Sequence, residues 1–212
     1  MKVLVLASNG QTGSLVAQEL VALGHQVTGL GRGDNRNSFL TSYLQQDLLD
    51  LTAEQVKDFD AVVSAFGVLN PELFPMYKQV ATHLTSILAN SDTKLYVVGG
   101  AGSLVVDPAS GARLFDTPDF PADYQGLARA HAEQLLVVRQ SATNWVYVHP
   151  AADFDENGAK TGNVVIGGAD FAVNKAGESY ISYADYAHEL ASLVSANKFS
   201  RVQLSFRQGD AK

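Results

Sequence analysis

The first 33 residues constrain the fold more than any other stretch of the chain. An apolar run from Lys2 to Ala7, with β-branched residues at alternate positions, is followed at once by a glycine-containing turn. Residues 14–23 then carry apolar side chains at helical spacing, and residues 26–30 form a second strand-like run. This order of strand, turn, helix and strand predicts the first βαβ unit of a dinucleotide-binding sheet.

The turn of this unit contains Gly10 and Gly13. Glycine there lets the backbone approach a pyrophosphate, and the next helix directs its free N–H groups and positive dipole end at that anion. One glycine is missing in either usual spacing, because Ser8 stands first in G-x-G-x-x-G and Ala7 first in G-x-x-G-x-x-G. Both are small enough for a tight turn, although a βαβ unit without a nucleotide stays an open alternative. The predicted cofactor contacts in the turn are Ser8, Gly10, Gln11, Thr12 and Gly13.

Six strand-like runs alternate with helical patterns up to His149. This alternation predicts an α/β, Rossmann-like, doubly wound and mostly parallel sheet with helices on both faces. Thr52 with Gln55 three residues later is typical of a helix N-terminus. After the second strand we predict a short helix within 38–44, strands near 43–46, 60–67, 94–98 and 144–148, and helices at 74–89 and 123–140.

The pattern changes in residues 151–180, which are glycine-rich and follow the sixth strand. We predict short β pieces at 164–166 and 171–173, a helix from a capping box at Ser182 to Ala196, and a last strand at 201–206. The chain is interpreted as a single NAD(P)-binding Rossmann domain over 1–212. Open α/β sheets bind ligands at the C-terminal strand ends, so 151–180 is predicted to be a substrate-side insertion. An ordinary decorated connection is the alternative.

Composition excludes several classes of function. The formal net charge of −7 argues against a nucleic-acid partner, and the absence of cysteine excludes disulfides and thiolate chemistry. The apolar runs are too short for a membrane span or a signal peptide, so we expect a cytoplasmic protein without membrane contact. No His and carboxylate spacing fits a metal site, so no metal is expected.

Several segments resemble one family across nearly the whole chain. The chain is similar to atypical short-chain dehydrogenases/reductases of the NADH-flavin reductase group, which are related to biliverdin reductase B and NmrA-like proteins. The resemblance is carried by residues 8–13, 24–28, 97–104, 116–121, 150–152 and 181–186, together with Arg32.

The resemblance implies cofactor contacts at the ends of the other strands. Asp47 and Leu48 end the third strand, where similar proteins contact the adenine, although a turn-starting Asp is an alternative. The remaining predicted cofactor contacts are Ala65, Phe66 and Gly67 after the fourth strand, Gly99 and Gly100 after the fifth, and His149 and Pro150 at the end of the sixth.

Arg32 bears on the choice of cofactor. It stands 19 residues after Gly13, where an NAD-preferring fold usually carries an acidic residue for the ribose 2′-hydroxyl. An arginine there suits a 2′-phosphate and favours NADP. Asp34 keeps NAD possible, and a solvated Arg32 without a cofactor role is a further alternative.

The sequence lacks the Tyr-x-x-x-Lys pair of typical short-chain dehydrogenases. Tyr124 has a suitable place, but Ala128 stands four residues later. Ser103, Tyr124 and His149 are the weak candidates for catalysis, and His131 in the long helix could face the same site. Alcohol dehydrogenation and sugar-nucleotide epimerisation are therefore disfavoured.

These observations predict an NAD(P)H-dependent oxidoreductase that transfers hydride to a planar acceptor such as flavin or quinone. Such a transfer needs stacking and close approach more than a side-chain acid. Flavin is expected as a substrate rather than a prosthetic group, and the chain as a monomer or homodimer. The alternative is a non-catalytic NADP-binding redox sensor, similar to NmrA-like proteins, that acts through a partner protein.

Overall fold

The computed structural model describes residues 1–210, and an eight-stranded sheet forms its centre. The first half of the chain supplies β1 (Lys2–Leu6), α1 (Gln11–Ala22), β2 (Gln26–Gly31), β3 (Ser42–Gln45), α2 (Ala53–Val56), β4 (Ala61–Ser64), α3 (Pro75–Ile87) and β5 (Lys94–Val98). The second half supplies β6 (Val105–Asp107), β7 (Ala112–Arg113), α4 (Ala122–Gln140), β8 (Trp145–His149), β9 (Asp153–Asp155), β10 (Val164–Gly167), β11 (Tyr180–Ser182), α5 (Tyr183–Ala196) and β12 (Val202–Gln208).

The strand order in the sheet is β10-β12-β8-β5-β4-β1-β2-β3. Every neighbouring pair is parallel except β10 with β12, which is antiparallel. The fold class predicted from the sequence is therefore confirmed. Because the parallel strands end at one edge, the loops that follow β1, β4, β5 and β8 lie along a common line.

Alternate residues of β1 face two separate cores. Val3 and Val5 pack with α1 and α5 on one face of the sheet. Leu4 and Leu6 pack with α3 and α4 on the other face. This period-two division is what a strand covered by helices on both faces requires.

Two local predictions are wrong. No helix forms within 38–44, because the backbone N–H of Thr41 bonds the Val27 carbonyl at 3.1 Å and draws this segment alongside β2. Residues 171–173 form no strand, and only Asp170 makes an isolated bridge to Val105. Both segments follow tertiary partners that are distant in sequence.

The helix caps show one confirmation and one difference. Thr52 and Gln55 form the reciprocal capping box that the sequence predicts. Ser182 accepts a hydrogen bond from the Asp185 backbone at 3.0 Å, as a cap should. The Asp185 carboxylate, however, does not accept a hydrogen bond from the Ser182 backbone N–H, as a capping box would require. It accepts hydrogen bonds from residues 161 and 162 of the 151–180 segment instead.

Segment 151–180 contributes two short strands, β9 and β10, and ends at the first residue of β11. β9 and β11 pair with each other in parallel, and β10 extends the main sheet beside β12. A further hairpin, β6 with β7, lies between β5 and α4 and had no clear sequence signal. The small β insertion after the sixth predicted strand is thus present, with one strand joined to the sheet edge.

Candidate functional site

The turn between β1 and α1 leaves the start of α1 open. Ala7 adopts a positive φ of 55°, and the N–H of Gly10 closes the turn on the Ala7 carbonyl at 2.9 Å. Gly10 is the N-cap of α1, and no side chain caps the first turn, which also lacks an acidic residue. The N–H groups at this end therefore remain available to an anion such as a pyrophosphate.

Gly10 and Gly13 have different roles. A Cβ atom on Gly13 would lie 2.4 Å from the Ala7 carbonyl oxygen, so Gly13 allows the helix to pack against the turn. A Cβ on Gly10 would meet the same oxygen at 3.2 Å, and Gly10 is exposed. The fold therefore needs a glycine at position 13 more strictly than at position 10.

Two asparagines hold the loop after β2 against this turn. Asn9 Nδ2 donates to the Asp34 carbonyl and to the Tyr43 hydroxyl, both at 2.9 Å, and its Oδ1 accepts from the Arg36 backbone. Buried Asn37 donates to the Ser8 carbonyl at 2.8 Å. The sequence alone indicated no role for either asparagine, because Asn9 bonds Asp34 and Asn37 bonds Ser8, each more than 20 residues away along the chain.

This loop places two arginines beside the turn. Arg32 and Arg36 are both exposed, and neither forms an ion pair within residues 1–210. Asp34 accepts a hydrogen bond from Gln45 Nε2 at 3.3 Å. Arg36 was missed by sequence reasoning, although its short spacing from Arg32 was visible. Both arginines therefore belong to the loop that Asn9 and Asn37 hold against the turn.

Asp47 and Leu48 follow β3. Asp47 caps a single 3₁₀ turn by accepting from the Leu49 backbone at 2.9 Å, and the Leu48 side chain is buried. One carboxylate oxygen of Asp47 is thus used locally. An adenine contact from this pair stays a prediction.

The loop after β4 combines a buried hydroxyl with aromatic packing. The Ser64 Oγ is buried and has no hydrogen-bond partner within the described residues. The next residues, Ala65 and Phe66, are half-buried, and the Phe66 ring packs edge-on against Tyr77 at 5.4 Å between centroids. Gly67 is exposed.

Gly99 and Gly100 follow β5 at the centre of the same edge. A Cβ on Gly99 would lie 2.1 Å from the Tyr147 ring, and one on Gly100 would lie 2.8 Å from His131 Nδ1. Only glycine allows the backbone to run this close to the two rings. The predicted nicotinamide end of the site is therefore closely packed.

The three weak catalytic candidates have different surroundings. The Ser103 side chain is buried in a 3₁₀ turn, and its Oγ has no partner among residues 1–210. Tyr124 is 59% exposed at the start of α4. Buried His149 has both nitrogens near protein atoms, with Nδ1 2.8 Å from the Gly100 carbonyl and Nε2 3.3 Å from the Gln203 amide. Pro150, which is also buried, follows it.

His131 lies beside Gly100, as its place in the long helix allowed. Its ring packs 4.4 Å from the Tyr77 ring, and its buried Nδ1 has no partner in the described part of the chain. Burial, with a smaller contribution from His149, lowers the pKa of His131 to about 4. Burial also lowers the pKa of His149. Both imidazoles are therefore neutral near pH 7.

Segment 151–180 reaches the open end of α1. Gln11 Nε2 donates to Glu156 at 2.7 Å, and Lys160 forms an ion pair with Glu19 at 2.7 Å. The Asp185 carboxylate fixes the adjoining backbone of Thr161. The segment therefore borders the same edge as the turn and the glycines.

Residues 1–210 contain no cluster of three or more His, Asp or Glu side chains arranged to hold a metal ion. None of the helices in this part of the chain has both the length and the apolar character needed to cross a membrane.

The chain matches a known family and several related proteins. The family model described as NAD(P)H-binding matches residues 8–197. The uncharacterized protein YwnB of Bacillus subtilis is 40% identical over 190 residues, covering 88% of this chain and 89% of that protein.

Two solved structures are also similar. A Streptococcus pneumoniae protein described as a "putative NADH-flavin reductase" is 40% identical, with a TM-score of 0.95 over 98% of this chain and 99% of the other. A Bacteroides thetaiotaomicron protein described as a "putative epimerase" is 28% identical, with a TM-score of 0.83 over 100% of this chain and 98% of the other.

Proposed function

The chain belongs to the NAD(P)H-binding family, and we propose that it is an NAD(P)H-dependent oxidoreductase that passes hydride to a flavin or a quinone. The name of the Streptococcus pneumoniae relative supports this class of reaction. The observation that carries the proposal is the poor provision for proton transfer at the nicotinamide end. Of the three candidate acids, Ser103 and His149 are buried and Tyr124 is largely exposed.

The residues of the edge fit a bound dinucleotide. The uncapped N-terminus of α1 suits the pyrophosphate, because its N–H groups and dipole favour a negative charge. Gly99 and Gly100 let the backbone after β5 lie against the Tyr147 and His131 rings, at the part of the edge where the nicotinamide would bind. A bound NAD(P)H would supply the hydride, and these residues would hold and orient it.

A planar acceptor suits the remaining surfaces. The loop after β4 carries Phe66, which is half-buried, and Leu69, which is 80% exposed. Segment 151–180 borders the same edge through Gln11 and Glu156. The apolar side chains of Phe66 and Leu69 favour a flat ring system. Hydride transfer to such a ring depends on distance and alignment.

NADP is the proposed physiological cofactor. Arg32 and Arg36 are exposed and lack carboxylate partners among residues 1–210, so a 2′-phosphate could bind both. Asp34 shares this loop, and its carboxylate is engaged by Gln45. NADH is therefore expected to bind more weakly.

Steady-state oxidation of NADPH and NADH with riboflavin, FMN and several quinones tests the proposal. We expect acceptor-dependent loss of the dihydronicotinamide absorbance, faster with NADPH. Gly10→Val is the matched control, since it should remove cofactor binding and turnover together. An epimerase would leave the cofactor unchanged overall, so net NADPH oxidation also separates these two activities.

Tight NADPH binding without turnover of any acceptor would contradict the proposal that the chain is an oxidoreductase. That result would favour the sensor, whose buried and bonded His149 would serve only structure. Failure to bind either NADPH or NADH would contradict both the oxidoreductase and the sensor.

A further inference from the structure

A groove beside α4 contains an unusual concentration of arginine. It has a volume of about 280 Å³ and is lined by Arg113, Arg129 and Arg139 together with Phe115, Leu135 and Leu136. We call this the arginine groove. It shares no lining residue with the predicted cofactor contacts, so it is separate from the site described above.

Positive side chains outnumber negative ones in the lining of the arginine groove, with three arginines and one glutamate. None of the three guanidinium groups lies within 4.0 Å of a carboxylate in the part of the chain that the structure describes. Glu133 also lines the groove, but its carboxylate lies 3.7 Å from Lys78. Three of the seven arginines thus meet in one groove of a chain whose net charge is −7.

Phe115 orders two of these arginines. The guanidinium carbons of Arg113 and Arg129 lie 5.9 and 5.5 Å from the centre of its ring, within the range of cation–π contacts. The ring is almost fully buried, and its backbone carbonyl accepts a hydrogen bond from Gln125 Nε2 at 2.8 Å. Two guanidinium groups are therefore held in place before any ligand arrives, which reduces the entropy lost on binding.

The walls of the arginine groove are partly apolar. Leu135 belongs to the core beneath, whereas Leu136 is 53% exposed. Exposed leucine beside clustered guanidinium groups provides both an apolar contact and charge-assisted hydrogen bonds. A ligand that uses both must combine an anionic group with an apolar one.

We propose that the arginine groove binds a small phosphate monoester that carries an aromatic group. A phosphate monoester is close to a dianion at neutral pH and offers three acceptor oxygens, which match several guanidinium donors better than one carboxylate does. The aromatic group would lie against the apolar wall. The volume of about 280 Å³ lies just below the usual range of small-molecule sites, so a ligand of about the size of phenyl phosphate fits.

Calorimetric titration with phenyl phosphate tests this site. We expect saturable binding that weakens as salt is added, because the contacts are partly exposed. Inorganic phosphate and glycerol phosphate test the need for the ring, and benzoate tests the need for the dianion. Each of these three probes should bind at least several-fold more weakly than phenyl phosphate.

Arg113→Gln and Arg129→Gln should each weaken phenyl phosphate binding by about tenfold or more, the range for hydrogen bonds to charged groups. Lys57→Gln is the charge-matched control, since Lys57 is exposed, pairs with Glu54 and lies outside the groove. Circular dichroism and thermal unfolding of each variant verify that the fold is kept. Arg139→Gln offers a third variant at an exposed position.

Two results would overturn the proposal. One is the absence of saturable binding of phenyl phosphate to the unaltered chain at concentrations up to about 10 mM, which corresponds to negligible affinity. The other is an equal loss of binding in Lys57→Gln and the groove variants, which would indicate a general effect of charge.

Discussion

His149 Nδ1 lies 2.8 Å from the carbonyl oxygen of Gly100, so a side chain of β8 holds the backbone that follows β5. On its other side the His149 ring lies 3.3 Å from the Gln203 amide of β12. One imidazole therefore joins three neighbouring strands at the edge where the nicotinamide is proposed to bind. This arrangement favours a positioning role for His149 over proton transfer.

Replacement of the three candidate acids should cost little in catalysis. A positioned general acid typically contributes 10²–10⁴-fold, so Tyr124→Phe and Ser103→Ala should each lower kcat by clearly less than about 10²-fold. His149→Asn should lower thermal stability as well, because it disturbs both contacts of a buried side chain. Steady-state kinetics with NADPH and the best acceptor measures the kcat of each variant. A loss of about 10³-fold in one folded variant that still binds NADPH would indicate acid–base catalysis on a carbonyl.

Gly10→Val and Gly13→Ala should separate cofactor binding from folding. Gly10→Val should abolish dinucleotide binding with the fold largely kept, since its Cβ meets one oxygen at 3.2 Å and its side chain occupies the anion position. Gly13→Ala should lower the free energy of unfolding, because its Cβ would lie 2.4 Å from the Ala7 carbonyl oxygen. NADPH titration and thermal unfolding of both variants test the pair. Unchanged NADPH affinity in Gly10→Val would exclude the proposed pyrophosphate position.

Arg32→Ala should weaken NADPH binding by about 1.5–3 kcal/mol, the range for hydrogen bonds to charged groups, and leave NADH binding nearly unchanged. Arg36→Ala should show the same selectivity, because its backbone is held beside the turn by Asn9. Titration of both cofactors against each variant measures the difference. Equal losses for NADPH and NADH would mean that neither arginine contacts the 2′-phosphate.

Asp185→Ala should release segment 151–180. The buried carboxylate binds the backbone of Thr161 at 2.9 Å and that of Gly162 at 2.8 Å, and it also accepts from the Thr161 hydroxyl at 2.6 Å. We expect the free energy of unfolding to fall by about 3 kcal/mol and limited proteolysis near residue 160 to accelerate. Asp153→Ala, at an exposed position, is the control. Equal stability of the two variants would contradict this role.

Acid should destabilise the chain through His131. Its pKa is about 4 when folded, against an ordinary value near 6.5, so below pH 6.5 the unfolded chain binds a proton that the folded chain does not. Its contribution to stability is complete above about pH 6.5 and is lost progressively down to about pH 4. Between about pH 7.5 and about pH 5, His131→Gln should lose about 2 kcal/mol less stability than the unaltered chain in urea unfolding. Parallel pH profiles for the two proteins would refute the assignment.

Short-range patterns of the sequence determined the fold class. Apolar periodicity placed β1, β5 and β8 within one or two residues, and Thr52 with Gln55 gave the start of α2. These features depend on neighbours along the chain, which a sequence displays directly. The parallel direction of the strands also follows from the alternation of strands and helices, and it indicates the sheet edge on which a ligand would bind.

Contacts between distant residues decided the rest. The segment before β3 forms a turn at 38–39 instead of a helix, because the Thr41 N–H bonds β2, although its own pattern favours a helix. Asn9 and Asn37 bring Arg36 to the turn, and Asp185 turns from its own helix start to hold residues 161 and 162. The arginine groove joins Arg113 of β7 to Arg129 and Arg139 of α4. Which distant residue a side chain contacts depends on how the whole chain packs in three dimensions. The spacing of residues along the sequence does not show this.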